Sequence, residues 1–150
     1  MWTFIDQNDL RRLQDPQALL NDTCLNSSAS VIHLTLLSDH QTRPAASKCT
    51  VLSTYVMQCI QTRWTNKEVW RNTKSNLYWQ TKVWVVPIHL PGMQHWVVCV
   101  IYVKKSRVFF FDSFAEQRTL HCILPVRSLV SLCNCNKCIG PLPSCCHPRH

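Results

Sequence analysis

Val83-Trp84-Val85-Val86-Pro87-Ile88-His89-Leu90-Pro91-Gly92-Met93-Gln94-His95-Trp96-Val97-Val98-Cys99-Val100-Ile101-Tyr102-Val103-Lys104-Lys105-Ser106-Arg107-Val108-Phe109-Phe110-Phe111-Asp112-Ser113-Phe114 is the stretch that decides the fold. β-branched and aromatic residues fill three runs, Val83–Ile88, Trp96–Val103 and Arg107–Phe111, and each reads as a strand. The middle run is almost continuously apolar, which suits a strand buried on both faces. Lys104-Lys105-Ser106 is a polar turn between the last two.

That turn sets a register. With it centred near Lys105, Asp112 falls opposite Val97 or Val98, and His95 stands two or three residues further along the neighbouring strand. Diagonal neighbours across a ladder lie ~7–8 Å apart at the backbone, within reach of longer side chains. A one-residue slip would send one of the two side chains to the other face. A carboxylate on one imidazole nitrogen fixes the ring tautomer and steadies the imidazolium. The other nitrogen is then a general base for a thiol or hydroxyl. Spacing alone leaves a second reading, in which a His at a strand start and an Asp at a strand end simply hydrogen-bond backbone.

Upstream, the period changes. Asn21 and Asp22 are good N-cap residues, and Leu25, Ala29, Ile32 and Leu36 follow at helical steps, which predicts a helix over Asp22–Leu37. His33 lies beside that face as a structural residue. Ser38–Pro44 reads as a loop. A second helix is predicted over Ala46–Gln61, with Val51, Leu52, Tyr55, Val56, Cys59 and Ile60 inward. Trp64–Gln80 interleaves tryptophans with polar residues and reads as a short helix and loop packed on the core. Pro16 interrupts any helix among the leucines of residues 1–21.

The 150 residues suit one domain with a real core, and 46% hydrophobic content argues against wholesale disorder. No apolar run reaches the roughly 18–20 residues that span a bilayer, and the N-terminus lacks a signal-peptide pattern, so an intracellular protein of nucleus or cytoplasm, not membrane-bound, is expected. The net charge of +8 is uneven, because the last 34 residues add four cations and no acid. Cysteines are uneven too: Cys24, Cys49, Cys59 and Cys99 sit in apolar patterns as small buried residues, while six of the ten follow residue 120.

Pro87-Ile88-His89, then His95-Trp96-Val97-Val98, then Phe111-Asp112-Ser113 resembles the progression on three consecutive strands of the ubiquitin-like-protein-specific (SUMO) cysteine proteases. Leu20-Asn21-Asp22-Thr23-Cys24-Leu25-Asn26 is similar to that family's helix start. The resemblance covers about residues 17–120. It implies an α+β, papain-like cysteine proteinase fold, with N-terminal helices on an antiparallel-rich sheet, over residues 1–124. It implies that His95 and Asp112 are catalytic, and that Trp96, Asn21 and Asp22 border the channel for the substrate's Gly-Gly tail. Glycine alone lacks a side chain to clash in such a tunnel. The implied partner is a SUMO-like modifier or its conjugates, with no cofactor, no metal and no nucleic acid.

The chain departs from the family pattern in two places. Leu19 stands where the family has a Trp before the Asn-Asp pair. The family's nucleophile lies in a Gln…Asp-Cys-Gly motif after the aspartate, and here no acid follows Glu116 and Gly140 is the only late glycine. Cys122 and the cysteines after it lack that context, so the chain is expected to end its resemblance before the nucleophile and to be inactive as it stands. Residues 125–150 read as a Cys/Pro-rich basic tail outside the fold, a truncated or mis-spliced end. The alternatives are a non-catalytic module that binds a ubiquitin-like protein, and a basic protein that binds nucleic acid or holds zinc through Cys133, Cys135, Cys138, Cys145, Cys146 and His147.

Overall fold

Alternating apolar residues build the sheet, and the sheet builds everything else. A computed structural model describes residues 4–62 and 65–114. Helix α1 spans Gln7–Gln14, α2 Asp22–Ser38 and α3 Arg43–Ala46. Strand β1 (Cys49–Val51) leads into α4 (Tyr55–Gln61) and α5 (Asn66–Thr73). Two 3₁₀ turns then deliver the chain to β2 (Val83–Leu90), β3 (His95–Tyr102) and β4 (Arg107–Phe111). The sheet runs β1-β2-β3-β4, with β1 parallel to β2 and the other pairs antiparallel. The expected α+β arrangement, N-terminal helices and an antiparallel-rich sheet, is therefore present.

One face of the sheet carries the core. Trp84, Val86, Ile88 and Leu90 of β2 and Val97, Cys99 and Ile101 of β3 are buried against Leu52, Val56 and Met57 from the segment around α4. Burial on β3 alternates residue by residue, so its outward residues Val98 and Tyr102 are exposed. The expectation of burial on both faces holds only in part, because on the outer face Trp96 and Val100 are half-buried while Val98 and Tyr102 are exposed.

The predicted helix over Ala46–Gln61 is corrected to a strand followed by a shorter helix. Cys49-Thr50-Val51 pairs with Val83-Trp84-Val85, a partner too distant in sequence for local periodicity to reveal. Tyr55, expected inward, is exposed, while Leu52, Val56 and Cys59 are buried as expected. The face of α2 also differs. Cys24 and Ser27 are the buried positions, and Ile32 and Leu36 are exposed. None of the described helices is long and apolar enough to cross a membrane. The Cys-rich tail from 125 to 150 lies outside the described residues.

Candidate active site

The inner face of β3 ends on a histidine where its core residues stop. Pro91–Met93 forms a 3₁₀ turn, and Gln94 adopts a left-handed conformation (φ 50°) that swings the chain into β3 at His95. A non-glycine residue in that region costs about 1–2 kcal/mol, which the surrounding strands must offset. His95 then shares the core face with Val97, Cys99 and Ile101.

The register of β3 and β4 pairs Val98 with Phe111, which puts Asp112 across from Val97 and diagonal to His95, as the turn arithmetic anticipated. The two side chains meet, with His95 Nε2 2.7 Å from Asp112 Oδ1. Their side chains are only 9% and 12% exposed, so solvent screens the pair weakly. An ionised carboxylate only accepts, so Nε2 carries the shared hydrogen and the neutral ring keeps its lone pair on Nδ1. Asp112 Oδ1 also accepts the backbone N–H of Phe114 at 2.9 Å, an Asx-type turn that fixes the carboxylate at the strand end. Phe114 folds back so that its ring stacks on His95, centroids 4.1 Å apart. Its place two residues after an Asp was the only sequence signal for that role.

Trp96 points to the opposite face of β3. Its indole stacks on His89 of β2 (centroids 4.4 Å) and donates Nε1–H to the carbonyl of Leu20 at 3.0 Å. That bond brings the segment before α2 against the sheet, one residue along β3 from His95. Asn21 and Asp22 therefore stand close in sequence to a backbone held by Trp96. The Asn21 side chain makes two bonds: Oδ1 caps α2 by accepting from Cys24 N at 2.8 Å, and Nδ2 donates to Asp9 Oδ1 at 2.7 Å. The Asn21 amide holds the Asp9 carboxyl below its ordinary range, helped by the Asp6 backbone N–H. Asp22 is exposed in the first turn of α2.

The described cysteines stand apart from the pair. Cys24 Sγ donates to Asp9 O at 3.5 Å, and Cys49 Sγ to Ala45 O at 3.4 Å. Burial pushes the Cys49 and Cys59 thiols up, away from the thiolate a nucleophile needs. Cys99 shares the inner face of β3 but lies four residues from His95, roughly 13 Å along the strand. Cys122 and the later cysteines lie outside the described residues. Among the described residues no group of three or more His, Cys, Asp or Glu could hold a metal ion.

By sequence, the Ulp1 protease family, C-terminal catalytic domain, matches residues 19–132. Among solved structures, the chain is similar to a de-sumoylating protease at TM-score 0.65 and 16% identity, over 91% of this chain and 54% of that one. It is similar to the SUMO protease Ulp1 with its catalytic cysteine oxidised to a sulfinic acid, at TM-score 0.56 and 15% identity, over 85% of this chain and 54% of that one. The chain thus spans about half the length of these structures, and at such identities the likeness is one of fold, the papain-like α+β arrangement. No curated protein matches the sequence.

Proposed function

The chain belongs to the Ulp1 protease family, and from that premise we propose that His95 and Asp112 are the base and orienting carboxylate of a thiol protease that cleaves after the Gly-Gly of a SUMO-like modifier. The observation that carries this reading is the 2.7 Å bond between His95 Nε2 and Asp112 Oδ1 on a mostly buried strand end. With Nε2 committed to Asp112, His95 Nδ1 takes the proton of a cysteine thiol. The thiolate attacks the glycine carbonyl carbon, and the imidazolium, steadied by Asp112, returns its proton to the leaving amine. Water then hydrolyses the thioester with His95 again as base.

Trp96, Asn21 and Asp22 fit this reading as the border of the tail-binding channel, because the Trp96–Leu20 bond ties strand and helix start together. Asn21 acts there through backbone position, since its amide already serves Cys24 and Asp9.

The family's Asp-Cys-Gly nucleophile motif has no counterpart in these 150 residues. Loss of a nucleophile costs on the order of a million-fold in turnover in well-studied hydrolytic triads. The chain as given therefore holds two members of the machinery and, on its own, binds a ubiquitin-like protein without cleaving it.

A SUMO C-terminal fluorogenic substrate, with a thiol-trapping modifier probe in parallel, tests the reading. Binding of the modifier without turnover is the expected result. Turnover that disappears in His95→Ala would refute the inactive reading while supporting the assigned base. Absence of both binding and turnover would refute the family's substrate class for this chain.

A further inference from the structure

At the end of the sheet away from His95, the topology gathers cations that are scattered in sequence. Lys48 precedes β1, Lys82 precedes β2, Lys104 and Lys105 follow β3, and Arg107 opens β4. Backbone bonds hold these positions together: Lys82 N donates to Lys48 O at 2.8 Å, and Val103 N to Lys82 O at 3.0 Å. Arg107 pairs with Tyr102 across the ladder. All five side chains are exposed, and none has an ion-pair partner among the described residues. The length of β3, roughly 23 Å, separates them from His95.

Two aromatic rings border the cations. Tyr102 and Phe109 meet edge to face with centroids 5.6 Å apart, and Lys105 Nζ lies 6.0 Å over the Tyr102 ring. From this end β4 runs as the outermost strand among the described residues, so alternate backbone N–H and C=O groups point away from β3. Phe109 and Phe111 project from it on one exposed face.

We propose that this edge binds an extended acidic peptide, which lies alongside β4 and sets its carboxylates against Lys104, Lys105 and Arg107. A strand edge that no described residue pairs offers hydrogen bonds at the spacing of another polypeptide, and alternate side chains of the added strand then cover Phe109 and Phe111. A nucleic acid backbone does not match that spacing. A second copy of the chain carries the same basic end and the same net charge of +8, so like charges oppose that pairing.

The test uses the full chain and a fluorescein-labelled peptide of alternating valine and threonine followed by four glutamates, read by fluorescence anisotropy. Saturable binding that weakens with added salt is expected. Combined Lys104→Glu, Lys105→Glu and Arg107→Glu should weaken it at least about tenfold. His95→Ala should leave it unchanged, which separates this surface from the proposed catalytic end. A backbone N-methylated peptide of identical charge should bind more weakly, a comparison that needs no variant protein. The proposal is overturned by no binding, by equal binding of the N-methylated peptide, or by tighter binding of an equally long single-stranded oligothymidylate.

Discussion

The two faces of β3 are alike in composition and opposite in environment. Val97, Cys99 and Ile101 on the inner face are essentially inaccessible, whereas Val98 and Tyr102 on the outer face are 36% and 38% exposed. The difference lies in what each face meets. The layer around α4 packs on the inner one, and His95 terminates that same buried row. A run of apolar residues thus records strand propensity more reliably than it records burial. The proposed chemistry sits where the packed face ends, because there the imidazole is largely desolvated and its Nε2 is held by Asp112.

Three measurements break or sharpen this contrast, and a fourth lies beside it. The largest effect belongs to the inner face: Ile101→Ala should cost about 2–5 kcal/mol in urea unfolding, while Val98→Ala on the outer face should cost less than about 1 kcal/mol. Equal losses would erase the contrast. Next, Asp112→Ala leaves the Nε2–H of His95 without its acceptor in a mostly buried place, and should cost about 1–3 kcal/mol by the same assay. A negligible change would mean that the pair contributes nothing to the strand end. Third, Trp96→Phe keeps a ring against His89 but removes the donor to Leu20, for an expected loss of about 1 kcal/mol together with faster amide exchange in the first turn of α2. Unchanged exchange there would show that the bond does not anchor the segment.

The smallest effect is a pH dependence outside both faces. Asp9 has a folded-state pKa held below its ordinary value of 3.8 by the Asn21 amide. A depressed carboxylate stabilises the fold above the unfolded pKa, and that contribution is lost as pH falls through the folded one. Stability should therefore decline below about pH 4, less steeply in Asp9→Asn than in the parent. Identical acid slopes for the two proteins would exclude this linkage.

The meander of β2, β3 and β4 was legible because its signals are local: β-branched runs, a polar turn, and a turn length that set the Asp112 register. The start of α2 was legible for the same reason, since Asn21 caps the residues immediately after it. β1 was not. Thr50 and Val51 belong to a strand only through a parallel partner more than thirty residues away, and Leu52, Val56 and Cys59 imitate a helical stripe that begins earlier than the helix does. The buried face of α2 was misread because small and polar residues make its contacts. Asn26 bonds the backbone and hydroxyl of Thr54, and Cys24 meets Asp9, while larger apolar residues stay outside. Of the candidate site, the His95–Asp112 pairing was readable, but the Phe114 stack and the Leu20 carbonyl depend on backbone paths that composition does not encode.

The bond from Trp96 to Leu20 joins residues 76 positions apart. During synthesis at ~5–20 residues per second, Leu20 waits roughly 4–15 s for Trp96 to be made, and longer for β3 to clear the ribosome. Throughout that interval the N-terminal helices exist without the strand that fastens them. The Leu20 carbonyl therefore gains its indole partner only after β3 has emerged, however early the segment that carries it takes shape.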